Sequence, residues 1–196
     1  MFAGMTSEDA RPVLKGPRVY LRPPVPGDWR MWAEVRAESR EFLEQWEPTW
    51  PADALSRLGF RRRIRLYQRD ARADLAYAFF IFSNHDNQLL GGITYSNIRR
   101  GVTQSASAGY WVGRTYARQG IMAAAISHTL DWAFDELGLH RVEAACLPDN
   151  QPSADLLRKC GFTEEGYARR YLRINGRWQD HLLFAILDSD PLPDFS

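Results

Sequence analysis

"SASAGYWVGRTYARQGIMAAAI", residues 105–126, changes its period in the middle. The first part, 105–113, has the composition of a strand. From Gly120 onward Met122, Ile126, Leu130, Ala133 and Leu137 recur at three- and four-residue steps, while Ser127, Asp131 and Asp135 take the other side. That is the pattern of an amphipathic helix, and Gly138 is a suitable stop for it. "HRVEAACL", 140–147, then reads as a compact strand ahead of Pro148. Strand, helix and strand of these lengths imply one parallel crossover, because parallel neighbours need a connection that long.

The rest of the chain is arranged around that crossover. "RVYLRP" (18–23) reads as a short strand stopped by prolines, and Asp28 opens a helix from Trp29 to about Arg40. "FLEQWEPTWP" is aromatic and broken by proline, so it reads as a loop before a second helix from about Ala52 to Arg72. "LAYAFFIFSN" (75–84) and "QLLGGITYSNI" (88–98), with "NHDN" between them, continue into 105–113 as an antiparallel meander. "NQPSADLLRKCG" gives a short helix with Asn150 as cap and Gly161 as stop. Two final strands, "EEGYARRYLRI" and "RWQDHLLFAIL", meet at Asn175-Gly176, a strong hairpin signal. The expected order is βααβββαβαββ: a mixed, mostly antiparallel α/β (α+β) sheet with one central parallel pair and about four helices. Residues 17–188 read as one domain between flexible ends, 1–16 and 189–196.

Composition narrows the function. With 45% hydrophobic and 25% charged residues and a net charge of +1, the chain is not a globally basic nucleic-acid binder. Its two cysteines lie in no metal-ligand spacing, so neither a disulfide framework nor a metal site is signalled, and a reducing cytoplasm fits. No apolar segment has the form of a signal peptide or the roughly 18 uncharged residues of a membrane span.

A glycine at a helix entrance costs roughly 0.5–1 kcal/mol relative to alanine inside the helix, so Gly120 asks for another reason. A strand, a tight turn and a helix with unpaired amides make an anion site, which the glycine lets a phosphate approach and to which Arg114 and Arg118 add positive charge. This order, with "ARQGIM" in the loop and "DN…PSADLLRKCGF" after it, resembles the GCN-five-related N-acetyltransferases (GNAT). Their phosphate loop reads Q/R-x-x-G-x-G/A; here Ala117, Arg118, Gln119, Gly120, Ile121 and Met122 keep the glycine and depart at the first and last positions. The likeness extends over most of the chain to one branch, the ribosomal-protein-alanine N-acetyltransferases, through "AESREFLEQWEP", "HRVEAACLPDN" and "GFTEEGYARRYLRINGRWQDH".

The resemblance implies acetyl-CoA as cosubstrate, no metal, and direct acetyl transfer to an amine. It places Trp111, Val112, the loop 118–122, Asn150 and Ser153 against the cofactor, with the Val112 backbone N–H facing the thioester carbonyl. The tyrosine that many relatives use as acid is Leu157 here, so Ser153 is the candidate. Cys146 reads as a packing residue. For the base, two carboxylate positions of relatives are Ala145 and Leu172, which leaves Glu38, Glu47 and Asp180; an α-amino group, with a pKa near 7.7–8.0, also deprotonates readily through water. Glu38, Trp46 and Glu47 are the expected acceptor contacts. The stripe Arg57, Arg61, Arg65, Arg69 and Arg72 suits an acidic partner or ribosomal RNA. Three readings stay open: a ribosomal-protein N-terminal alanine acetyltransferase, an enzyme for a polyamine, aminoglycoside or amino acid, and a ribosome-assembly factor with residual acetyl-CoA binding. Either a monomer or a homodimer is compatible with them.

Overall fold

The strand "YAFFIFS", Tyr77–Ser83 (β3), is apolar at nearly every position, which a strand can be only if both faces are covered. Phe79 and Ile81 enter one core and Phe80 and Phe82 another. Those two cores lie on opposite faces of one eight-stranded sheet, and the rest of the fold supplies their lids.

The computed structural model describes residues 13–193 and Phe195. Strands β1 (Leu14–Lys15), β2 (Val19–Arg22), β3, β4 (Leu89–Arg99), β5 (Ser105–Val112), β6 (Arg141–Cys146), β7 (Thr163–Ile174) and β8 (Arg177–Leu187) stand in the order β1-β2-β3-β4-β5-β6-β8-β7. β5 and β6 are the expected parallel pair, and the other pairings are antiparallel. Helices α1 (Trp29–Glu38) and α3 (Arg57–Arg72) cover the face that carries Phe80 and Phe82. Helices α4 (Ile121–Asp131) and α5 (Gln151–Lys159) cover the other. The Asn175-Gly176 hairpin forms with both residues at positive φ, +41° and +77°, as a two-residue turn between twisted strands requires.

The structure corrects several boundaries. A fifth helix, α2 (Arg40–Glu44), occupies the start of the segment read as loop; it is one turn long and hangs on buried Leu43, too short for any period to reveal. α3 begins at Arg57 rather than Ala52, because Ser56 accepts a hydrogen bond from Gly59 N–H and Pro51 leads a turn before it. The last turn of the crossover helix, Trp132–Glu136, widens to a π-helix, with Leu137 N–H donating to Trp132 C=O at 3.0 Å. Trp132 there meets Tyr77, Phe79 and Tyr95 edge-on.

The ends of the chain are more engaged than expected. Leu14 and Lys15 already pair with β2, so the sheet begins inside the segment read as a flexible lead; residues 1–12 lie outside the described residues. In the segment 189–196, Leu192 and Phe195 pack on the core, and Ser127 donates to Pro193 C=O. Burial of apolar side chains overrides the polar, proline-rich composition there.

Candidate active site

Register places the cleft. β5 and β6 pair only from Ser105–Ser107 against Arg141–Glu143 and then diverge, so β5 continues to Val112 and β6 to Cys146 with a gap between them. On its other side β5 stays paired to β4 as far as Val112, and Gly113 N–H donates to Leu90 C=O at 2.8 Å. Peptide N–H groups alternate along a strand, so the Val112 N–H points the opposite way, into the gap. That leaves a backbone donor where a thioester carbonyl can meet it.

The loop leaving β5 is shaped for an anion. Arg118 has φ +63° and Gly120 φ +79°, two left-handed residues with one between, and α4 starts immediately after. Such backbone turns the amides inward as a concavity for negative charge at a helix N-terminus. Gly120 is exposed, and its φ is one that only glycine adopts freely. The side chains of Ile121 and Met122 are mostly buried in the core, so these two residues face a ligand chiefly through their amides. Gln119 reaches back to Thr115 C=O at 2.7 Å and braces the loop. Sequence reasoning missed Arg18: its guanidinium comes within 3.4 Å of the space beyond Gly120 and lines a cleft of about 230 Å³ with Gln119, Tyr116 and Ile121.

Across the gap, Asn150 caps α5 by accepting from Ser153 N–H at 3.2 Å. The Ser153 hydroxyl lies 2.8 Å from the Tyr110 hydroxyl. The Cys146 thiol, buried beside Ser153, is pushed up by that burial, which agrees with a packing residue.

Trp111 turns the other way from Tyr110 and Val112, as strand alternation demands. Its indole lies over Gly92, where a Cβ would come within 2.8 Å of Nε1, while a Cβ on Gly91 would meet the Trp111 backbone carbonyl instead. Arg36, almost fully buried, sits 4.9 Å from the Trp111 ring and 4.2 Å from the Trp50 ring. Its guanidinium forks onto both oxygens of Glu47, and the Trp50 Nε1–H donates to Glu47 at 2.7 Å. Glu47 thus enters the site already neutralised, not as a free anion for an ammonium group. Its backbone carbonyl also accepts from Asn175 N–H at 3.0 Å, which fastens the loop between α2 and α3 to the tip of the β7–β8 hairpin. Trp46 is half-buried in that loop, and Glu38 is exposed at the end of α1.

Asp180 lies elsewhere, in an open cleft of about 420 Å³ lined by Leu147, Pro148 and Asp149 after β6 and by Tyr167, Arg170 and Trp178 of the hairpin. β7 carries extra residues between Ala168 and Leu172, and Asp180 fills that bulge by accepting from Tyr167 O–H at 2.6 Å and Arg170 N–H at 2.7 Å. The Tyr167 hydroxyl first, then the Arg170 amide, hold its carboxyl below the usual range. Such a group is a lasting negative charge and a weak base. Among the described residues, no three His, Cys, Asp or Glu side chains are grouped to hold a metal ion, and no helix is long and apolar enough to cross a membrane.

The arrangement as a whole offers a gap with an inward-facing amide, an anion-shaped loop at one end and an open cleft with carboxylates at the other. Comparison with known proteins agrees with it. The family described as Acetyltransferase (GNAT) domain matches residues 18–163. The "Probable N-acetyltransferase YjcK" of Bacillus subtilis (strain 168) is 39% identical over 178 residues, 91% of this chain and 98% of that protein. The [Ribosomal protein uS5]-alanine N-acetyltransferase of Escherichia coli (strain K12) is 32% identical over 165 residues, 84% of each. Among solved structures, Mycobacterium smegmatis RimJ in complex with CoA-disulfide superposes with a TM-score of 0.84 at 34% identity, over 90% of this chain and 87% of that one.

Proposed function

The chain belongs to the GNAT acetyltransferase family and is an acetyl-CoA-dependent N-acetyltransferase, and from that premise we propose that its acceptor is a protein N-terminus, an N-terminal alanine of a ribosomal protein first among them, met in the cytoplasm. The observation that carries this reading is the openness of the acceptor cleft. Trp178 and Tyr167, 63% and 55% exposed, flank it along the outer strand pair, so a chain continuing beyond the first residue has somewhere to lie. A site for a small amine would close around its substrate. The identity to the uS5-alanine enzyme over most of both chains supports the same acceptor.

Acetyl-CoA supplies the acetyl group as a thioester. The loop 118–122 holds its phosphates through backbone amides, and the Val112 N–H stabilises the carbonyl oxygen as charge develops on it. Asp180, with Asp149 beside it in the cleft, draws in the acceptor ammonium, which loses its proton to water before attack; a terminal amine with a pKa near 7.7–8.0 needs no strong base. Ser153 gives a proton to the departing sulfur. The exposed arginine stripe of α3, Arg57, Arg61, Arg65, Arg69 and Arg72, meets an anionic partner such as ribosomal RNA; charge reversal at Arg61 and Arg65 should then weaken salt-sensitive RNA binding without changing the rate on a free peptide.

The test is a panel of peptides beginning with alanine, serine or methionine alongside a polyamine, an aminoglycoside and free amino acids, with products identified by mass spectrometry. Acetylated alanine peptide is the expected result. Product on free amines alone overturns the peptide reading.

A further inference from the structure

Leu157, on the face of α5 that enters the core, is buried. A phenol meets this helix from the sheet. Tyr110 reaches across from β5, beyond the last β5–β6 pair at Ser107 and Glu143, and its hydroxyl oxygen lies 2.8 Å from Ser153 Oγ. The two residues are 43 positions apart, and their hydroxyls join the wall of the gap made by β5 to the wall made by α5.

Both partners are held. Tyr110 packs its ring on the core beneath α4 and α5. Ser153 stands in the first turn of α5, fixed by its own N–H donating to Asn150 Oδ1. Burial drives the Tyr110 phenol well above its ordinary range, so it holds a proton that it can donate to Ser153. A phenol O–H donated to Oγ occupies one serine lone pair and leaves the serine proton to point elsewhere. Burial raises the pKa of the facing Cys146 thiol, so this sulfur is a weak acceptor beside the Ser153 hydroxyl.

We propose that Tyr110 is a positioning residue that orients the Ser153 hydroxyl toward the sulfur leaving the thioester. The proposal rests on Ser153 being the acid. As the amine nitrogen bonds to the carbonyl carbon, the C–S bond breaks and the sulfur keeps its electron pair. The Ser153 proton passes to that sulfur, and the proton shed by the amine nitrogen, carried by water, replaces it on the serine. Tyr110 keeps its own proton throughout and steadies Oγ while it is short of one.

The experiment compares Tyr110→Phe, Ser153→Ala and the double variant in single-turnover acetyl transfer to the best acceptor of the panel, with acetyl-CoA affinity measured in parallel. Tyr110→Phe is expected to slow transfer about tenfold, the worth of one lost hydrogen bond, at unchanged acetyl-CoA Kd. In the Ser153→Ala background the same change should cost nothing more, a dependence that a packing role for the ring does not produce. Losses that multiply in the double variant, or a normal rate in Tyr110→Phe beside a slow Ser153→Ala, overturn the positioning role alone. A normal rate in Ser153→Ala removes the acid itself. Should Tyr110→Phe fail to fold, 3-fluorotyrosine at position 110 keeps the ring and makes the phenol a stronger donor; transfer should hold or quicken, and a tenfold drop overturns the proposal.

Discussion

The proposed cofactor side of this enzyme is built mainly from backbone and the proposed acceptor side mainly from side chains. On the first, two left-handed residues, a helix start and an unpaired strand amide do the work, all within residues 110–122. On the second, Arg36, Glu47, Trp50, Trp111 and Asn175 come from four separate stretches and meet through an ion pair, ring contacts and one long-range amide. A cofactor that never changes can be met by a local backbone shape. The acceptor wall depends on distant parts staying docked, and it can change without disturbing the other side.

The strongest way to break this contrast is Gly120→Val. A β-branched residue at φ +79° is strained and also shields the amides, so acetyl-CoA Kd should rise about 100-fold by calorimetry. A folded variant with normal affinity would mean that the loop does not hold the cofactor through its backbone. Next in size is Arg36→Met, which leaves Glu47 without its partner in a mostly buried site. Stability should fall by about 3 kcal/mol in denaturant titration, and acceptor KM should rise about tenfold while acetyl-CoA Kd stays put. An equal loss of cofactor affinity would show the two sides to be coupled.

Asp180→Asn sharpens the acceptor side. Removal of a surface charge should raise the KM of an ammonium-bearing acceptor about threefold without touching a neutral thioester. Because Asp180 titrates below the usual range, the stability it contributes is present above the unfolded value, about 3.9, and is lost only as pH falls through its lower folded value. The smallest effect belongs to its neighbour. His181 is buried and burial lowers its pKa, so below about 6.5 the unfolded chain takes up a proton that the folded chain refuses. Stability should therefore decline as pH falls through that window, and His181→Gln should flatten the decline in melting temperature. An unchanged slope would assign the acid sensitivity elsewhere.

The same contrast explains what could be read in the sequence. Strand composition, the 105–147 crossover and Asn175-Gly176 are local signals, and the sheet they imply is the sheet observed except for β1, which lies in the segment read as a flexible lead. Gly120 stood out because it contradicts helix propensity, and its φ gives the reason. Tyr110 and Arg36 carried no such signal. "GYW" reads as a strand whichever residue it serves, and nothing near Tyr110 announces a serine 43 residues later. Glu47 was expected at the acceptor for its charge, but the arginine that cancels this charge lies 11 positions back, on a helix whose period says only which side is buried. Asp180 was picked out as a carboxylate, and its use in closing a bulge depends on the pairing of two strands.

That bulge has a consequence beyond the site. β7 is an edge strand of the sheet, twelve residues long, and a straight strand there would offer an unbroken row of amides and carbonyls to any second chain. Arg170, at φ +49°, breaks the row at mid-length, and Arg169 and Arg173 add like charges along it. The irregularity that presents Asp180 to the cleft thereby also protects the protein from edge-to-edge aggregation, so that straightening it should cost solubility as well as activity.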